Sequence, residues 1–149
     1  MEIKTFTGQR RSGLTHTVLT RARAAGPFVL VVTKDSEDYA RFKPAAVVTT
    51  LGRHREAFEA RVETALRAGA RLVVIDDAHA FGRAYATRLP ALLADYGAVL
   101  WIAGNPPTKP DHWFAKVAEK YPPEVIAAPP NAALSRTAQQ VVQALAAGA

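Results

Sequence analysis

Cysteine is absent from the 149 residues. That excludes disulfides and thiolate metal sites, and it makes a cytoplasmic protein the default expectation. No apolar run approaches the roughly 20 residues that span a bilayer. The opening Met-Glu-Ile-Lys-Thr-Phe passes at once into an apparent strand, so a signal peptide is not expected. Histidines are few and scattered: His16, His54, His79 and His112 have no H-x-x-x-H spacing, so a zinc site is not expected and each reads as a surface or turn residue. Ser12 lies outside any G-x-S-x-G elbow, which argues against a hydrolase nucleophile. Acidic residues are the scarcer charge, 13 against 19 Lys and Arg, for a net charge of +6 and a pI near 10.0. That balance suits nucleic acid or another polyanion, and it equally keeps a globular protein in solution.

What is present is an alternation of short apolar runs with longer segments of helical period. Strands are expected at Glu2–Phe6, Phe28–Thr33, Ala46–Thr49, Leu72–Ile75, Ala98–Ala103 and Val125–Ala127. The inner ones, such as Phe-Val-Leu-Val-Val and Leu-Val-Val-Ile, are continuously apolar, as in parallel strands covered on both faces. Helices are expected at Gly13–Ala25, Arg53–Ala68, Phe81–Tyr96 (kinked or restarted at Pro90), Asp111–Lys120 and Ala132–Ala147, with a short one near Ser36–Phe42. The pattern predicts one doubly wound α/β domain over residues 1–149 with a mainly parallel, P-loop NTPase-like sheet. Ligands of such sheets gather beyond the carboxyl ends of the strands, which singles out loops 7–13, 76–81 and 103–112.

The first loop, Thr-Gly-Gln-Arg-Arg-Ser-Gly-Leu-Thr, matches G-x-x-x-x-G-K-[ST] at Gly8, Gly13 and Thr15, with Leu14 in place of the lysine. Glycines there let backbone N–H groups turn toward phosphate oxygens, and the hydroxyl of Thr15 would reach a magnesium ion. Read plainly, the same residues make an ordinary strand-to-helix turn with arginines in solvent. The second loop ends a buried strand in Asp76 and Asp77, a Walker B arrangement: Asp76 on the magnesium side, Asp77 polarising water. The alternative is that the acids favour the amino end of the following helix. In the third loop Asn105 faces the phosphate site from a neighbouring strand or merely forms a turn, while Trp113 and Phe114 read as packing residues. Arg10, Arg11, Arg21, Arg23, Lys34, Arg41 and Lys43 suggest a basic surface near the loop, either solvated or holding nucleic-acid phosphates.

Taken in order, Gly-Gln-Arg-Arg-Ser-Gly-x-Thr, Val-Val-Ile-Asp-Asp-Ala-His and Gly-Asn-Pro-Pro-x-x-x-x-His-Trp-Phe resemble the ATPase domain of phage terminase large subunits, the DNA-packaging motors, over roughly residues 3–118. The resemblance implies a P-loop fold, ATP with Mg2+ as ligand, double-stranded DNA as substrate and the host cytoplasm as location. It assigns Gly8, Arg10, Arg11, Ser12, Gly13 and Thr15 to nucleotide binding, Asp76 and Thr15 to the metal, and Asp77 and Asn105 to catalysis. This chain departs from the family in four places. Leu14 replaces the lysine, Asp77 stands where glutamate is usual, and neither the adenine-binding segment nor the nuclease domain has a counterpart in residues 1–149.

Two readings of different class follow. In one, the chain is a degenerate P-loop module that binds nucleotide, phosphate or nucleic acid with weak or no hydrolysis, and works with a motor or other protein partner. In the other it is a compact Mg-dependent ATPase of a DNA-packaging or DNA-translocating system, with Arg10 or Arg11 supplying the missing charge bidentately. Leu14, Asp77 and the lost adenine segment favour the first. A doubly wound domain for some other phosphorylated ligand is a third reading, because fold does not dictate function.

Overall fold

A computed structural model describes residues 2–10, 12–26, 28–35 and 39–127. Its elements run β1 (Ile3–Thr7), α1 (Leu14–Ala25), β2 (Val29–Thr33), a 3-10 turn (Ala40–Phe42), β3 (Ala46–Thr49), α2 (Arg55–Arg67), β4 (Leu72–Ile75), α3 (Arg83–Ala86), α4 (Leu89–Ala94), β5 (Val99–Gly104), α5 (Trp113–Lys120) and β6 (Glu124–Val125). The six strands form one sheet in the order β3-β2-β4-β5-β1-β6, and every pairing is parallel. The fold is therefore doubly wound α/β, as the apolar runs predict.

Burial explains why those runs are not alternating. All five residues of β2 and all four of β4 are buried, because the inner strands have covering on both faces. One face packs Phe6, Leu14, Val18, Leu19, Val31, Phe42, Val74 and Trp101 under α1 and the 3-10 turn. The other packs Leu30, Val32, Phe58, Val62, Ile75, Phe81, Leu89, Leu93 and Phe114 under α2 to α5. Crossover direction sorts the helices between the faces. The connections β1 to β2 and β2 to β3 run one way across the sheet, and α1 and the 3-10 turn lie on one side. Those carrying α2 to α5 run the other way and lie opposite, as a single crossover hand requires.

Several boundaries differ from the sequence expectation by a residue or two, which is the usual uncertainty of fraying ends. The segment 81–96 is not one helix: α3 stops at Ala86, and α4 restarts at Leu89 with Pro90 in its first turn, where a missing N–H costs nothing. Of the short helix near 36–42 only the 3-10 turn Ala40–Phe42 falls within the described residues. The helix expected at Ala132–Ala147 lies outside them. Trp113 and Phe114 pack as expected: Phe114 is buried, and the Trp113 indole donates to the carbonyl of Phe81 at 2.7 Å.

Candidate functional site

The loop after β1 is built around two glycines with different duties. Gly8 is buried, and a Cβ there would lie 2.5 Å from Ser12 Oγ and 2.8 Å from the carbonyl of Ile126, so no larger residue fits. Gly13 has open space around it but holds φ +79, the left-handed conformation that glycine adopts without strain. Between them the Ser12 N–H closes a turn onto the carbonyl of Gln9 at 3.0 Å. The Ser12 hydroxyl is buried without a hydrogen-bond partner among the described residues. Helix α1 then opens directly at Leu14. Leu14 is only 8% exposed and joins the core beneath α1. Position 14, where the phosphate-loop pattern would carry a lysine, is thus turned largely into apolar packing.

Opposite this loop, β4 delivers Asp76, only 1% exposed. The hydroxyl of Thr15 donates to its two carboxylate oxygens at 3.1 and 3.2 Å. The phenol of Tyr39, 3% exposed, donates to Oδ2 at 2.7 Å. Burial raises the Asp76 carboxyl above the ordinary range, against the hydrogen bonds from Tyr39, Thr15 and the Asp77 backbone, which favour the carboxylate. Burial, then the charge of Asp76, pushes the Tyr39 phenol far up as well, so it remains a donor. Tyr39 had no signature in the sequence: it stands 37 residues before Asp76, in a segment without motif character.

After Asp76 the chain turns through Asp77 at φ +54, a left-handed conformation that aspartate tolerates better than most residues. The turn is fastened to the end of β5. The Ala78 N–H donates to the carbonyl of Ala103 at 2.8 Å, and the Asn105 N–H donates to His79 Nδ1 at 3.0 Å. Gly104 permits this approach, since a Cβ there would lie 2.9 Å from the His79 nitrogen and 3.0 Å from Ala78. His79 is a turn residue, as expected from sequence, but one whose ring is bonded to the neighbouring strand end. It is half-buried, and burial lowers its imidazole, with Asp76 opposing and His112 adding to the shift. The signal that marks it is its place three residues after a strand-end acid. His112 has a structural duty, its Nδ1 accepting the Phe114 N–H at 3.0 Å as the cap of α5.

The three strand-end loops meet. Gln9, Arg10, Ser12, Gly13, Leu14 and Thr15 line one cavity of about 620 Å³ together with Asp77, His79 and Asn105. His16, Arg41 and Ala80 complete the wall. The volume lies within the range of small-molecule sites, roughly 300–1,000 Å³. Asp76 stands behind the wall, reached through the hydroxyl of Thr15. The basic cluster expected from sequence divides: Arg10 and Arg41 line this cavity, Arg21 pairs with Glu124, and Lys34 lines a separate hollow with Arg53 and His54. Arg11 lies outside the described residues.

Among the described residues no three His, Asp or Glu side chains form a metal-binding group. Oxygen donors of Thr15 and Asp76 side by side are instead the sparse set that suits magnesium, an ion that keeps waters and takes further ligands from a phosphate. The residues present thus fit Mg2+ only in company with a phosphorylated ligand. In sequence the chain matches no protein-family model and no curated protein. Among the described residues no helix is long and apolar enough to cross a membrane.

Proposed function

We propose that this chain is a degenerate P-loop module of the terminase type, which binds the phosphates of a nucleotide, ATP with Mg2+ in the first instance, with weak or no hydrolysis. The observation that carries this reading is the hydrogen bond from Thr15, in the first turn of α1, to Asp76 at the end of β4. It ties the start of α1 to the strand-end acid, so that Thr15 lines the cavity with Asp76 directly behind it. The start of a helix favours negative charge, and Arg10 and Arg41 add positive charge to the same wall. Magnesium held there would neutralise charge on a nucleotide's phosphates.

Weak catalysis follows from what the wall lacks. Leu14 packs into the core, so no ammonium reaches the outer phosphate from that position. Asp77 is one methylene shorter than the glutamate of the family, and a shortfall on the order of 1 Å can cost about 10²-fold in rate. The active-ATPase reading is favoured by one observation, the presence of Arg10 on the cavity wall, from which its guanidinium would stand in for the lysine. Net charge +6 supports nucleic acid as the partner of either form.

Titration calorimetry with ATP, with and without Mg2+, tests the binding claim, and phosphate release at high protein concentration separates the two forms. Mg-dependent binding with no release supports the module. Sustained release that disappears in Arg10→Ala supports the ATPase. Absence of binding under both conditions overturns both.

A further inference from the structure

At the rim of the sheet the order β1-β5-β4 sets three groups in a row. The glycine loop follows β1, Asn105 follows β5, and His79 sits in the turn after β4. A ligand that followed this row, with its inner phosphate against the loop after β1, would bring its outer phosphate across the end of β5 toward β4. His79 lines the cavity at that end, beside Asp77 and Asn105.

The imidazole is set in a defined form. Its Nδ1 accepts the N–H of Asn105 at 3.0 Å, which requires a lone pair there and places the proton of the neutral ring on Nε2. The turn that carries the ring is bonded to Ala103 and seated on Gly104, with no room for a Cβ between them, and the bond from Asn105 orients the imidazole itself. The ring is thus a fixed, uncharged N–H donor.

Resting on the phosphate-binding reading above, we propose that His79 donates its Nε2–H to the outermost phosphate of a bound nucleotide, so that the site prefers a nucleoside triphosphate to the diphosphate. The proposal gives a use to a histidine that the phosphate-loop and acid-pair motifs leave unassigned. Burial, which lowers the imidazole, agrees with a ring that remains neutral. The donor serves a charged oxygen in a partly desolvated wall, where such bonds are stronger than neutral ones.

Two substitutions separate ligand contact from loop support. His79→Asn keeps an acceptor near the place of Nδ1 and withdraws the donor, while His79→Gln keeps a donor near the place of Nε2 and removes the acceptor. Affinities for Mg·ADP and for the Mg complex of the β,γ-imido analogue of ATP are measured by calorimetry in all three proteins. The expected result is a triphosphate preference in the wild type, reduced about tenfold or more in His79→Asn and largely kept in His79→Gln, which unfolds at lower temperature. Long-range nitrogen–proton NMR of the ligand-free wild type is expected to show the ring proton on Nε2, shifting with the triphosphate analogue and not with ADP. A ring protonated on Nδ1, a wild type without triphosphate preference, or an unchanged preference in His79→Asn overturns the inference and leaves the phosphate-binding reading standing. A wild type that binds neither nucleotide overturns both.

Discussion

The phenol of Tyr39 donates to Oδ2 of Asp76 across 2.7 Å, although the two residues lie on either side of two strands and a helix in sequence. Tyr39 is nearly as buried as the acid it serves. It holds a carboxylate that water barely reaches, and together with Thr15 it fixes that carboxylate beside the start of α1. Removing one donor from a buried acceptor costs about 1–3 kcal/mol. Tyr39→Phe is accordingly expected to lower the unfolding free energy by that amount in urea titrations. It should also raise the pKa of Asp76 further, seen by NMR titration of the carboxyl carbon.

Asp76 itself is expected to trade stability for binding. Its folded pKa is raised by burial, so the folded state holds the proton more tightly than the unfolded chain. The stabilising contribution of this group is fully present below the ordinary carboxyl pKa of about 3.9, and it is lost as pH rises through the folded value. At pH 7 the ligand-free Asp76→Asn protein should therefore melt higher than the wild type. About 2–4 °C corresponds to 1 kcal/mol in a domain of this size. The gap should narrow as pH falls toward 4. Added Mg·ATP should raise the wild-type midpoint and leave that of the variant unmoved.

Much of this architecture is written in the chain. Continuous apolar stretches at Phe28–Thr33 and Leu72–Ile75 announce strands covered on both faces, and the structure has them so. Gly8, Gly13 and Thr15 show motif spacing because a tight strand-to-helix turn is built from neighbours in sequence, and Asp76 is marked by its place at the end of an apolar strand. Tyr39 and Gly104 escape such reading for a physical reason. Their roles depend on which strands lie side by side, and strand order is set by packing across the sheet rather than by local pattern. His79 escaped because an isolated histidine looks like any turn residue until Asn105 is placed beside it. The break between Ala86 and Leu89 was legible through Pro90.

Gly104→Ala and Gly13→Ala should fail differently. A methyl at position 104 meets backbone atoms of His79 and Ala78 at 2.9–3.0 Å, so the turn carrying Asp77 and His79 must move. Overpacking of this kind costs about 1–3 kcal/mol, and nucleotide affinity should fall with it. At position 13 nothing is touched, and the left-handed backbone alone costs about 1–2 kcal/mol. Urea unfolding and nucleotide titration of both variants would show loss of affinity disproportionate to loss of stability only for Gly104→Ala.

Leu14→Lys is expected to restore part of a phosphate site at the expense of the core. The aliphatic stem can follow the path of the leucine while the ammonium moves out to the cavity that Leu14 already lines. Loss of buried leucine contacts should lower stability by about 1–3 kcal/mol, the scale of burying such a side chain. ATP affinity should rise, read by calorimetry alongside thermal melts. Unchanged affinity in a folded variant would mean that position 14 does not face the ligand.

The most direct measurement replaces Mg2+ by paramagnetic Mn2+ and follows backbone amide resonances as Mn·ADP is added. Amides of the Gly8–Gly13 turn and of the Asp76–His79 turn should broaden together at low occupancy, because both border one bound ion. Broadening confined to one of these turns, or centred instead on the hollow beside Lys34, Arg53 and His54, would contradict the account.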